Sequence, residues 1–145
     1  MNKGLIALAC GGLAIGMTEF TMMGILQDIA NDQKIEITEA AHFIALYALG
    51  VVVGAPILTI FTGKFAPKKV LLFLMLLFII FNGLFAIAPE YNTLAISRFM
   101  SGLPHGAFFG VGSVVAAQLA QKGKEAQAIA FMFTGMTIAN LAGVP

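Results

Sequence analysis

Long apolar runs alternate with short polar segments along this chain, and the runs have membrane-spanning length. The first covers residues 4–26, behind Lys3. Its 23 residues, at a helical rise of 1.5 Å, extend about 34 Å against a hydrocarbon core of about 30 Å. Lys3 followed by Leu5 to Leu8 has the look of a secretory signal, but the apolar run continues well past the roughly 7 to 15 residues of such a signal's core. It is therefore read as a span. The polar segment Gln27 to Thr38, holding Asp28, Asp32, Lys34 and Glu36, is expected to be a loop outside the bilayer. Thr38 followed by Glu39 predicts a helix start, an oxygen cap with an acid in the first turn. The second apolar run is 38–62. Pro67, as a helix breaker, and three lysines interrupt the pattern before the third run, 70–88. Pro89-Glu90-Tyr91 turns the chain into a fourth run, 92–120, and Gln121 to Glu125 separates this from a fifth, 126–145.

Composition reinforces the pattern. Hydrophobic residues make up 59% and charged residues 10%, where a soluble domain carries about 25% charged residues. The expected fold class is an all-α, polytopic membrane bundle of about five transmembrane helices, with the lipid bilayer as its first partner. A soluble enzyme core is not expected. The net charge of +1 supplies no basic field for nucleic acid, and no Walker A motif is present, so any pumping draws on a source other than an ATP site of this chain. No cofactor or metal site is read from the sequence: Cys10 stands alone as a small apolar residue, and Gly110-Val-Gly112 is not a dinucleotide loop because Val115 holds the third glycine's place. With the N-terminus cytoplasmic, the inside segments hold Lys3, Lys64, Lys68, Lys69, Lys122 and Lys124 against Lys34 outside, six to one. A multi-pass topology with the N-terminus cytoplasmic is expected, and the location expected for the chain is a cell's inner, cytoplasmic membrane. The odd helix count leaves Pro145 near the outer face with no turn after it, so the chain is expected to be incomplete.

Candidate chemistry concentrates in the fourth run. Between Arg98 and Gly112 lie an arginine, a proline, His105 and four glycines. An arginine inside the membrane costs roughly 2.5 to 3.5 kcal/mol on insertion scales, so such groups usually face a partner or a watery path. His105 follows Arg98 by seven residues, which puts it on nearly the same helical face. It is a candidate proton relay, although a ring beside Pro104 is more simply expected to bond a carbonyl that the proline frees. His42 reads as interfacial, with no role assigned. Gly102, Gly106 and Gly110 recur every four residues, as do Gly50 and Gly54, and Gly135, Ala139 and Gly143. Close helix packing explains them without a ligand. Met17, Met22 and Met23 flank Glu19; they suit a surface accepting varied apolar ligands, or equally fill gaps between helices. Without tryptophan, the interfacial belt is expected to rest on Tyr47, Tyr91 and lysine.

The runs Gly16-Met-Thr-Glu19-Phe20 with Gly24 and Ile29-Ala30, then Tyr47-Ala-Leu-Gly50-Val-Val-Val-Gly54-Ala-Pro56, resemble the start of a major facilitator superfamily transporter of the drug:proton antiporter type, sugar-efflux-like branch. Lys64, Lys68 and Lys69 resemble the basic positions of that family's loop between spans two and three. The loop departs from the pattern where Thr59 stands near its first glycine and Gly63 near its aspartate. Arg98 with Gly102, continuing through His105-Gly106, resembles the Arg-x-x-x-Gly motif of span four. Gly135, Ala139, Gly143 and Pro145 resemble the span-five motif associated with antiporters, which favours export. The resemblance covers the first five of the family's twelve helices and implies that the remaining C-terminal helices, a small-molecule substrate and protons are the partners.

The resemblance also implies that spans one and four line the central cavity. Glu19 lies seven residues from Leu26 and Arg98 six from Asn92, depths of about 10 Å and 9 Å. Paired charges at matched depth are where such repeats place coupling-ion or substrate sites. Glu19 is therefore expected to carry a proton or face substrate, with Arg98 favouring its charged form. The alternatives are a static bridge between Glu19 and Arg98, or Glu19 capping a kink near Gly16. For the whole chain, uptake in the same fold and a small non-transporting subunit that binds partner helices both stay open beside efflux.

Overall fold

The computed structural model describes residues 2–144, and all their regular structure is helical. In chain order the helices are α1 (Lys3–Gly24), α2 (Leu26–Gln33), α3 (Ile37–Ala40), α4 (His42–Thr62), α5 (Pro67–Ile87), α6 (Tyr91–Leu119) and α7 (Glu125–Gly143). Five segments are long and apolar enough to cross a membrane: α1, α3 continuing into α4, α5, α6 and α7. They coincide with the five apolar runs.

Local chemistry sets the boundaries. The Asn2 side chain accepts a hydrogen bond from the Gly4 backbone N–H at 2.9 Å and starts α1. Three expectations are corrected here. Gln27 to Thr38 is not simply a loop, because most of it forms α2, which closes on Lys34 in a left-handed conformation. Nor does Thr38 cap the next helix. Glu36 does, in a reciprocal box in which its own backbone N–H donates to the Glu39 carboxylate at 3.2 Å. Pro67 does not break a helix but opens α5, where its missing N–H has no intrahelical partner to lose.

The centre of the bundle is α6, which packs against α4, α5, α7 and α1, while α1 packs mainly against α7. α1 and α6 run antiparallel: Asn2 Nδ2 donates to the Leu119 carbonyl at one end, and Met22 joins Leu94 in a packed cluster at the other. Two apolar clusters result. The larger gathers Leu74, Phe78, Phe108 and Met132, the smaller Met22, Phe43 and Leu94. Along α6, between its contributions to the two, Ser97, Arg98, Ser101 and His105 are buried. The outside is the reverse, with Ile60 75%, Phe61 72% and Leu141 81% exposed. A few polar groups set within an apolar interior, and an apolar outside, is the distribution a helix bundle takes in lipid, where association rests on close packing rather than on burial of oil from water.

The glycine stripes make that packing. Gly50 and Gly54 of α4 face Gly102 and Gly106 of α6, and a Cβ at Gly50 or Gly102 would collide with the backbone carbonyl of Phe99 or Tyr47 across the interface. Gly135 does the same between α7 and α1, against the Ala9 carbonyl, and a Cβ at Gly16 would lie 2.6 Å from that of Ala139. Gly110, in register with Gly102 and Gly106, is exposed and meets only Thr59 Oγ1 at 3.9 Å.

Candidate functional site

Four helices bring the site together. Glu19 comes from α1, Tyr47 from α4, Phe85 from α5, and Arg98 and His105 from α6. The Arg98 guanidinium carbon lies 4.3 Å from the centre of the Tyr47 ring and 5.2 Å from that of Phe85. Arg98 is 2% exposed and its Nε has no hydrogen-bond partner. Desolvated cation–π contacts contribute on the order of 2 kcal/mol, less than the several kcal/mol lost in taking the charge out of water. The guanidinium is thus held but not satisfied.

His105 Nδ1 is 3.0 Å from the Tyr47 hydroxyl and 3.9 Å from Glu19 Oε2. With the neutral ring protonated on Nε2, Tyr47 donates to Nδ1; with Nδ1 protonated, the ring donates to Tyr47 instead. The longer separation is an ion-pair distance and not a hydrogen bond. Glu19 Oε2 has no hydrogen-bond partner either. The simpler expectation for His105, a bond to a carbonyl freed by Pro104, is corrected: the ring is turned to the Tyr47 hydroxyl.

Glu19 and Arg98 attract each other through space, but among the described residues they form no ion-pair contact, so the static bridge is not formed. Neither does Glu19 cap a kink, since its carboxylate accepts no hydrogen bond among the described residues. The reason is directional. Helical side chains lean toward the N-terminus of their own helix. On antiparallel α1 and α6, residues at equal depth therefore lean apart, whereas Glu19 and the deeper His105 lean together. Matched depth, read along the chain, pointed to the charge that acts on Glu19 through space but not to the side chain nearest its carboxylate.

Tyr47 is the residue the sequence reading misplaced. It is 2% exposed, under Arg98 and against His105, and is not part of an interfacial belt. The signal was present: Tyr47, Gly50 and Gly54 are spaced three and seven apart, one helical face, and that face packs on α6. Tyr91 does lie at a helix end, where its hydroxyl is 3.2 Å from Nδ1 of the exposed His42.

A groove of about 270 Å³ opens beside Arg98, walled by Met17, Thr18, Thr21 and Met22 of α1 and by Asn82 and Phe85 of α5. Met23, expected beside Glu19 with the other methionines, is 48% exposed and does not line it. Lys64, Lys68 and Lys69 are exposed far along the chain at the α4–α5 connection, and Lys69 borders a separate apolar groove with Phe65 and Phe73. Gly135, Ala139 and Gly143 are buried on α7; Pro145 lies outside the described residues. No group of three or more metal-ligating side chains is found among the described residues.

Comparison with known proteins agrees with this architecture. AraJ of Escherichia coli (strain K12) is 48% identical over 145 residues, all of this chain and 37% of that protein. The inner membrane transport protein YdhP of the same strain is 50% identical over 145 residues, again all of this chain and 37% of its own length. A chloramphenicol resistance protein of Streptomyces lividans is 30% identical over 141 residues, 97% of this chain and 36% of that protein. The chain thus spans a little over a third of the length of the curated relatives it matches. The sequence model of the Major Facilitator Superfamily matches residues 8–145. By that match and its five spans, the chain is a multi-pass membrane protein that belongs to the Major Facilitator Superfamily.

Proposed function

We propose that residues 1–145 form the N-terminal transmembrane bundle of a proton-coupled secondary transporter that exports a small organic molecule. In this reading the protein sits in the inner membrane with its N-terminus cytoplasmic, as the lysine distribution favours. The relative named for inner membrane transport supports the location, and the relative named for chloramphenicol resistance supports export.

The observation that carries the reading is the cluster itself: a carboxylate, an imidazole, a phenol and a guanidinium from three helices meet inside a bundle whose outer surface is apolar. Intramembrane ionisable groups of this kind mark ion and substrate paths. Glu19 is the proton-carrying carboxylate, and Arg98 favours its charged form. His105 exchanges the proton with Glu19 through Nδ1, 3.9 Å from Oε2, while the Tyr47 hydroxyl, 3.0 Å from the same nitrogen, holds the ring in place. The glycine stripes, including the Gly135, Ala139 and Gly143 motif, keep the helices close enough for these side chains to meet. The exposed Lys64, Lys68 and Lys69 hold their loop on the cytoplasmic side.

The test uses the natural full-length protein, with chloramphenicol as the first compound. Everted vesicles would be assayed for drug-dependent collapse of an imposed pH gradient. Glu19→Gln is expected to remove the drug-dependent proton flux, and Arg98→Ala to reduce it at least about tenfold, as for loss of one well-placed catalytic proton group. Undiminished drug-coupled proton flux in both variants would end the coupling assignment.

A further inference from the structure

We infer that the groove between α1 and α5 is an organic-anion subsite, which takes a carboxylate on a small apolar body with the Arg98 guanidinium as its counter-ion. The inference rests on the transport reading for its purpose, and on the geometry alone for its binding. A guanidinium carries five N–H donors and no acceptor. Its contacts with Tyr47 and Phe85 are to ring carbons, which offer no lone pairs. The side chain makes no hydrogen bond or ion pair among the described residues, its Nε is wholly enclosed without a partner, and the residue is 2% exposed while bordering the groove. Glu19 acts on this cation only through space, so its N–H donors are left for an anion in direct contact.

The groove determines what kind. None of its walls is acidic, because Glu19 leans to His105 and is not among the lining residues. Between Glu39 and Glu90 the chain contains no acid at all, so α4 and α5 bring no competing carboxylate. Met17, Met22 and Phe85 supply the apolar wall. Of the polar lining groups, the Thr18 hydroxyl donates to the Ile15 carbonyl and the Asn82 amide to the Phe78 carbonyl, while Thr21 adds a single hydroxyl. Arg98 therefore holds the main unused donors. The groove's volume of about 270 Å³ is near the lower end of small-ligand pockets, roughly 300 to 1,000 Å³, so benzoate, a singly charged ring compound, is a probe of matching size.

The experiment measures equilibrium binding of radiolabelled benzoate, with neutral benzamide as the same-shaped control, to the natural full-length protein in phosphatidylcholine nanodiscs. Benzoate is expected to bind about tenfold or more tighter than benzamide, and Arg98→Gln to abolish the difference. Ile25→Trp, which fills the groove from an exposed position at its rim, is expected to weaken benzoate by a similar factor without touching the arginine. Equal affinities for the two compounds would overturn the assignment, as would benzoate binding indifferent to Ile25→Trp in a protein that remains monodisperse. Replacing part of the lipid by phosphatidylglycerol separates the sources of anion: displacement of benzoate by this lipid would assign the site to a headgroup and overturn the proposal. Since no gradient is applied, benzoate binding without proton-coupled flux refutes only the transport reading. Flux without benzoate binding refutes only the subsite.

Discussion

Gly102 and Gly110 are two members of one stripe on α6, and alanine at each should act in opposite directions. At Gly102 the new methyl would run into the Tyr47 carbonyl of α4, and Val51 N and Gly50 Cα close the remaining space at 3.0 and 3.1 Å. These are backbone atoms and cannot swing aside. Relief requires α4 and α6 to separate by about 1 Å, a gap that forfeits a quarter to a half of each affected dispersion contact. Overpacking of this kind costs about 1 to 3 kcal/mol, and backbone obstacles place Gly102→Ala in the upper part of that range. The better helix propensity of alanine returns about 1 kcal/mol. At Gly110 a Cβ would have only Thr59 Oγ1, at 3.9 Å, as a neighbour, so the propensity gain stands alone. Thermal unfolding of the natural protein in detergent should therefore put Gly102→Ala below wild type and Gly110→Ala level with or above it. At about 2 to 4 °C for each kcal/mol, the two variants should differ by several degrees. Equal midpoints, or a lower one for Gly110→Ala, would refute the account of α4–α6 packing.

Two further outcomes follow from the same geometry. Tyr47→Phe removes the hydroxyl from His105 but keeps a ring under Arg98, so it should cost about 1 kcal/mol of stability, whereas Tyr47→Leu should lose a further 1 to 2 kcal/mol or so with the cation–π contact; denaturation in detergent compares them, and equal losses would mean the ring does not support the arginine. Glu39→Ala breaks the box with Glu36 and should cost about 0.5 to 2 kcal/mol, seen as faster amide exchange at the start of α3; unchanged exchange there would place the cap elsewhere.

The five spans, the membrane setting and the presence of a charge, Arg98, inside the fourth span were legible in the linear sequence. Insertion is a local property: a run of apolar residues long enough to cross the bilayer must satisfy its backbone within its own helix whatever its neighbours do. The glycine stripes were legible for a related reason, since a spacing of four marks one face of one helix. Partnership was not. The sequence could not tell that Gly102 is pressed against α4 while Gly110 stands open, because that depends on where two crossing helices diverge. It pointed to Arg98 as the neighbour of Glu19, because depth can be counted along a chain and lean cannot. Only the antiparallel placement of α1 and α6 turns Glu19 toward His105, and only the packing of α4 on α6 brings Tyr47 to both ring and guanidinium. Where a charge can exist in a membrane was set by local composition; which groups it meets was decided by helix direction and contact.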